Sequence, residues 1–155
     1  MIEFKIYKPE EGPKSEISQF IKDMEGLSLT HLGMKTDLDT YIDKTYKNAT
    51  KFTYWDDGNL IGLGLAYINK APRESFGTYL CVHPDYASDG LGLDISLKAL
   101  KYAETFGTDR YIVVVRDNNK MLNKFFKKLG FIKTNSLMVE NSNILENEYT
   151  KYFNK

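Results

Sequence analysis

The chain contains one cysteine and two histidines, His31 and His83. A single cysteine excludes an internal disulfide and a Cys-rich zinc site, and two histidines exclude most His-based ones, so no metal is expected. Charge of one sign is also missing, since 21 basic side chains balance 21 acidic ones. General binders of nucleic acid or anionic membrane carry a basic surplus, so neither partner is expected. No apolar run approaches the roughly 20 residues of a membrane span. Met1-Ile2-Glu3-Phe4-Lys5 shows no signal-peptide h-region, and a cytoplasmic protein is the expectation. Repeats, low-complexity tracts and Pro/Gly linkers are absent, so residues 1–155 read as a single domain. What is present is 42% hydrophobic and 14% aromatic residues, enough for a packed core.

Periodicity divides the chain into elements. Ile2, Phe4 and Ile6 alternate with polar residues, predicting a half-buried strand. Ile17, Phe20, Ile21 and Met24 recur at helical spacing. Thr36-Asp37-Leu38-Asp39 resembles a capping box ahead of a second helix carrying Leu38, Tyr41, Ile42 and Tyr46. Two β-rich runs, Phe52–Trp55 and Leu60–Ile68, flank Asp56-Asp57-Gly58-Asn59 and predict a hairpin. Phe76–Val82 is a strand stopped by Pro84. A helix from Gly90 to Phe106 is expected, with Leu93, Leu97 and Leu100 inward and Gly107 closing it. Tyr111–Val115 reads as a strand buried on both faces. Asn119 can cap a helix bearing Leu122, Phe125, Phe126 and Leu129, and Phe131–Met138 and Tyr149–Phe153 read as closing strands. The order is β-α-α-β-β-β-α-β-α-β-β. It predicts an α/β fold with one mixed sheet, one parallel crossover and about four flanking helices.

The stretch Val82-His83-Pro84-Asp85-Tyr86-Ala87-Ser88-Asp89-Gly90-Leu91-Gly92-Leu93 carries the most chemistry. A strand ends, a bend holds two glycines, and a helix begins. Glycine lets backbone approach a ligand, and a helix start offers unpaired N–H groups and a positive dipole end, a combination suited to phosphate. It is neither a Walker loop nor a full Rossmann fingerprint.

This stretch, the long helix after it, the Val-rich strand, Asn119 and the run Asn119-Lys120-Met121-Leu122-Asn123-Lys124-Phe125-Phe126-Lys127-Lys128-Leu129-Gly130-Phe131 together resemble the GNAT family of N-acetyltransferases from about Phe76 to Phe131. The resemblance implies acetyl-CoA as co-substrate and a primary amine, on a small molecule or peptide, as acceptor. It implies that the backbone of Cys81 and Val82 bonds the pantetheine arm like an added strand. It implies that the strand 76–82 splays from the strand 111–115 to admit the thioester. N–H groups of Ser88, Asp89, Gly90, Leu91, Gly92 and Leu93 would cradle the pyrophosphate, with Asn119 and Phe126 near the pantetheine. A valine side chain at Gly92 would then obstruct the pyrophosphate.

Three features depart from the family pattern. Ala87 stands where Arg or Gln is usual, Asp85, Asp89 and Asp94 make the bend acidic, and Phe126 occupies a position often held by a tyrosine acid. No general base is evident; Tyr79, His83 and Asn119 are the candidates near the chemistry. Cys81, with no His-Asp set, reads as a small core residue and not a nucleophile. Asp37, Asp39 and Asp43 could meet a cationic acceptor, although a solvated helix face explains them more simply. The departures favour an alternative, a catalytically weak or inactive module that senses CoA or binds a partner. A third possibility is another phosphate-ligand enzyme using Gly90 and Gly92. A homodimer is compatible with the exposed edges of such a sheet.

Overall fold

Alternation in the first residues produces an edge strand, and the next strand in the chain pairs with it. The computed structural model describes residues 1–26, 37–139 and 142–153. Two units divide the backbone, Met1–Tyr67 with Tyr79–Tyr102, and Ile68–Thr78 with Ala103–Lys155.

The first unit begins with β1 (Ile2–Tyr7), α1 (Lys14–Gly26) and α2 (Leu38–Asn48). On α1, Ile17, Phe20, Ile21 and Met24 are all buried, as their spacing predicts. The α2 cap is Asp37, whose carboxylate accepts the Thr40 N–H at 3.0 Å; Thr36 and His31 lie outside the described residues. β2 (Thr50–Asp56) and β3 (Asn59–Ala71) form the expected hairpin. Its two-residue turn places Asp57 at φ 48° and Gly58 at φ 81°, the left-handed pair that matches strand twist. β1 pairs antiparallel with β2 through an unbroken register, Ile2 opposite Asp56 to Tyr7 opposite Lys51. The half-buried expectation for β1 needs correcting, since Ile2 and Ile6 are 42% and 40% exposed. An edge strand has a neighbour on one side only.

β4 (Glu74–Val82) leads into a short 3₁₀ helix (Pro84–Asp89) and then α3 (Leu91–Thr105). The inward stripe of α3 is Leu91, Ile95, Ala99, Leu100 and Ala103, while Leu93 and Leu97 are exposed, contrary to the expectation from sequence. A stripe built on i, i+4, i+8 from Leu91 rotates the helix so that the other leucines flank the contact. The helix rides close on β3. A Cβ added at Gly64 would lie 2.6 Å from Ile95 Cγ2, a methyl on the β-branched carbon that has little freedom to swing away. Gly64→Ala is therefore expected to cost about 1–3 kcal/mol, the price of overpacking, and to lower the midpoint of thermal unfolding by several degrees. An unchanged melting curve would show that α3 lifts freely.

In the second unit β5 (Arg110–Arg116) runs parallel to the start of β4, from Glu74 opposite Arg110 to Gly77 opposite Val113. α4 (Lys120–Lys128), β6 (Ile132–Met138) and β7 (Leu145–Tyr152) follow, with β7 antiparallel to both β5 and β6. β5 is not buried on both faces. Tyr111, Val113 and Val115 are buried while Val114 is exposed, so the valine run alternates after all. Strand order is β1-β2-β3-β4-β5-β7-β6, a mixed seven-stranded sheet with one parallel pair. Among the described residues no helix is long and apolar enough to cross a membrane.

Candidate functional site

Extended backbone at the end of β4 converts to helix within a few residues, and the conversion uses the side chains that the sequence puts there. The His83 N–H donates to the Ile61 carbonyl at 2.7 Å, the last rung toward β3. Its imidazole Nδ1 then accepts the Asp85 N–H at 3.1 Å and caps the 3₁₀ helix, with Pro84 in the first position. The Tyr86 hydroxyl donates to Asp56 at 2.5 Å and ties the bend to the tip of the β2–β3 hairpin. That bond holds the Asp56 carboxyl below its ordinary range and the Tyr86 phenol above it. Gly90 completes the bend at φ 75°, a left-handed conformation, and a Cβ there would meet nothing within 4 Å. From Ser88 to Gly90 the chain is exposed.

Asp94 is bonded through its N–H to the Gly90 carbonyl. The N–H groups of Leu91, Gly92 and Leu93, one residue-turn earlier, belong to the positions that lack an intrahelical acceptor. A 15-residue helix adds the positive end of its dipole there. Gly92 differs from Gly90. A Cβ on it would point at Val82 Cγ2, 3.7 Å away, so a larger side chain would press on β4 beneath the helix and not stand over the bend.

Of the acidic side chains, Asp89 and Asp94 lie along the same groove as this helix start, whereas Asp85 does not line it. Asp85 leaves 84% of its side chain in solvent, and Asp94 is ion-paired with Lys98 at 2.8 Å. Lys98, the first cation after Arg73, also donates to the Tyr54 hydroxyl at 2.8 Å and stands 4.1 Å over the Phe4 ring. These groups border an open groove of about 460 Å³ whose lining includes Tyr54, Asp89, Gly90, Leu93, Asp94 and Lys98. Neither Lys98 nor the tether between Tyr86 and Asp56 was apparent from sequence, because each joins residues at least 30 positions apart.

Tyr79 and Cys81 share one face of β4 and both are buried. Burial pushes the Cys81 thiol up to about 11, which leaves it protonated and poorly nucleophilic. Burial raises the Tyr79 phenol well above its ordinary range, and the Cys81 thiol beside it adds to the shift. A phenol in that state can donate a hydrogen bond but cannot act as a base near neutral pH. On the first unit's helices the acidic residues are engaged in structure. Asp37 caps α2, Asp39 pairs with Lys22 at 3.3 Å, and Asp43 pairs with Lys14 at 3.0 Å.

The remaining predicted residues belong to the second unit. Asn119 caps α4, its side-chain oxygen accepting the Leu122 N–H at 3.1 Å. Asn123, one position past the expected apolar stripe, is the residue that the sequence reading overlooked. Its side-chain oxygen accepts from Tyr149 at 2.6 Å and Asn147 at 2.8 Å, and its amide donates to the carbonyls of Arg116 and Asn119. This buried network fixes the link between β5 and α4. The available signal was a polar residue three positions before Phe126 on an otherwise apolar helix face. Phe126 is buried in edge-to-face contact with Phe125 and Phe131, each at 5.2 Å. Phe126→Tyr would place a hydroxyl in that cluster. It is expected to leave turnover unchanged and reduce stability by about 1–3 kcal/mol if the hydroxyl stays unpaired. A rate increase of about 10² or more would instead mark the position as a missing acid. Among the described residues no group of three or more His, Cys, Asp or Glu side chains is placed to hold a metal ion.

Residues 18–131 match the model of the acetyltransferase (GNAT) family. No curated protein matches the sequence. Solved structures with a similar fold include a Desulfovibrio desulfuricans protein assigned to the GNAT acetyltransferases, with a TM-score of 0.75 at 11% identity, covering 98% of this chain and 99% of that one. The ribosomal-protein-S18-alanine N-acetyltransferase of Escherichia coli aligns with a TM-score of 0.69 at 13% identity, over 96% and 92% of the two chains. A Bacillus anthracis protein assigned as a streptothricin acetyltransferase and solved in complex with acetyl coenzyme A aligns with a TM-score of 0.62 at 18% identity, over 69% and 64%.

Proposed function

Because the chain belongs to the acetyltransferase (GNAT) family, we propose that it transfers an acetyl group from acetyl-CoA to a primary amine of a small molecule or peptide, by direct attack while both are bound. The observation that carries this reading is the exposed bend opening α3, where backbone N–H groups precede Asp94, with Asp85 in solvent, Asp94 paired with Lys98 and Asp89 in the lining of the groove. A diphosphate would be held by N–H groups from Ser88 to Leu93, with charge-assisted bonds compensating for the missing arginines. The backbone of Cys81 and Val82 would bond the pantetheine as a strand bonds its neighbour. Asn119 and Phe126 are carried as cofactor contacts by family resemblance alone.

Acetyl-CoA supplies an activated thioester whose acyl carbon–sulfur bond breaks as the new carbon–nitrogen bond forms. The chain's own contribution is positioning, worth up to roughly 7–11 kcal/mol for well-aligned reactants. His83 is committed to its cap through Nδ1, which leaves the amine's proton to solvent. Tyr79 offers a neutral hydroxyl donor on the same face of β4 as Cys81, suited to stabilising negative charge on the departing sulfur.

Calorimetric titration with acetyl-CoA, followed by a free-thiol release assay over a panel of amines, tests the proposal. Saturable binding with release of CoA on at least one amine is the expected result. Binding with no release on any amine would favour the sensor reading, which the absence of a hydroxyl at Phe126 supports. Preference for ATP or NAD over CoA would overturn both.

A further inference from the structure

The two edges of the sheet are built differently. At one edge β6 presents Lys133, Thr134, Asn135 and Ser136 between the exposed Ile132, Leu137 and Met138, and its register with β7 breaks between Lys133 and Asn135. Polar residues and a bulge are the usual protections of an exposed edge. At the other edge β1 has neither proline nor bulge, and its register with β2 is continuous over six residues.

The residues of β1 sort by face. Phe4 lies opposite Tyr54, and their rings are 5.0 Å apart. Tyr54 and Phe4 both meet Lys98 of α3, so this is the α3 face. Ile2 and Ile6 share it by parity, and both are exposed, as are Leu93 and Leu97 on α3. Glu3 and Lys5 occupy the opposite face and are exposed as well.

An antiparallel copy of the same strand, related by a two-fold axis at Phe4, matches this pattern at every position. Ile2 falls opposite Ile6 of the second copy, Phe4 opposite Phe4, and Glu3 opposite Lys5, with each pairing repeated by symmetry. On one face the strand side chains, Ile2, Phe4 and Ile6 of both copies, are all apolar, with Lys98 standing over each Phe4. The other face carries two cross-strand pairs of opposite charge. Such self-complementarity is what an isologous interface requires, and opposite charges directly across a ladder are favourable where like charges are not. We propose that β1 is a homodimer interface, in which two copies of this chain join their sheets edge to edge through an antiparallel β1–β1 ladder centred on Phe4.

Sedimentation equilibrium on the chain of this sequence, with any tag at its C-terminal end, provides the test. The natural chain is expected to dimerise. Lys5→Glu sets carboxylate against carboxylate at both charged crossings and is expected to weaken the dimer about tenfold or more, as is Glu3→Lys with two cations. The double variant Glu3→Lys/Lys5→Glu restores both pairs and should restore the dimer. An equimolar mixture of the two single variants should form heterodimers in preference to either homodimer. Circular dichroism of each variant reports folding, and these exposed positions are expected to leave it unchanged. A monomeric natural chain at the highest attainable concentration, or a dimer indifferent to all four variants and mixtures, overturns the proposal.

Discussion

Gly90→Val is expected to bind acetyl-CoA at least about tenfold more weakly than the natural chain, whereas Gly92→Ala should bind within about threefold. Gly90 sits at φ 75°, and a β-branched residue in that region pays more than the usual left-handed penalty of about 1–2 kcal/mol. A tenfold loss corresponds to about 1.4 kcal/mol, so even a partial rotation of the bend away from its geometry accounts for the effect. Space is not the issue, because a Cβ at Gly90 meets nothing within 4 Å. Gly92 reverses the situation. Its backbone is not left-handed, and a Cβ makes only ordinary contact with Val82. The sequence expectation that a side chain at Gly92 obstructs the pyrophosphate therefore shifts to the neighbouring glycine and to a conformational cause. Calorimetry on both variants, with melting curves to establish folding, decides the matter. Unchanged affinity in a folded Gly90→Val protein would remove the bend from the ligand site.

The second large effect is on stability against pH. Lys51 is fully buried in β2, and its ammonium donates to the carbonyls of Lys8, Tyr46 and Ala49 at 3.1, 2.7 and 3.2 Å while standing 4.5 Å over the Tyr46 ring. Burial nevertheless pulls its pKa from 10.5 down to about 8. Between those values the unfolded chain holds more protons than the folded one, so this group makes stability rise with pH, by about 1.4 kcal/mol per unit. The Cys81 thiol acts with opposite sign. Its pKa is raised from 9.0 to about 11, so the unfolded chain loses that proton first and stability falls across the same interval. The natural chain should therefore gain about 1 kcal/mol from pH 8 to 9, level off, and decline once the tyrosines begin to titrate. Lys51→Met removes the rising contribution, and the gap between the two profiles should change by about 3 kcal/mol from pH 8 to 10.5. Urea unfolding at closely spaced pH values measures it. Parallel profiles would show that the three carbonyls keep the ammonium charged as easily as water does.

Much of this fold was legible in local periodicity. The stripe Ile17, Phe20, Ile21, Met24 and the Asp57-Gly58 turn depend on neighbours in sequence, and both formed as read. Errors arose where tertiary context chooses among equivalent local patterns. Leu93 and Leu97 fit a helical face with Leu100 as well as Leu91, Ile95 and Ala99 do; Leu100 is buried as read, and close packing of Ile95 over Gly64 leaves Leu93 and Leu97 outside. Likewise β5 reads as a continuous apolar run, yet Val114 faces outward. At the site, the glycine bend and the Asn119 cap were visible because they are properties of a short segment. The contacts that hold them were not, since Lys98 with Tyr54, Tyr86 with Asp56, and Asn123 with Tyr149 each link elements distant in the chain.

The bond from Tyr86 to Asp56 has an evolutionary corollary. A bend that borrows its rigidity from the tip of a remote hairpin cannot drift independently of it. Homologues that lose the acid at the hairpin should have lost the phenol as well, or replaced both with another reciprocal couple. Insertions that lengthen either excursion should appear alongside compensating changes in the other.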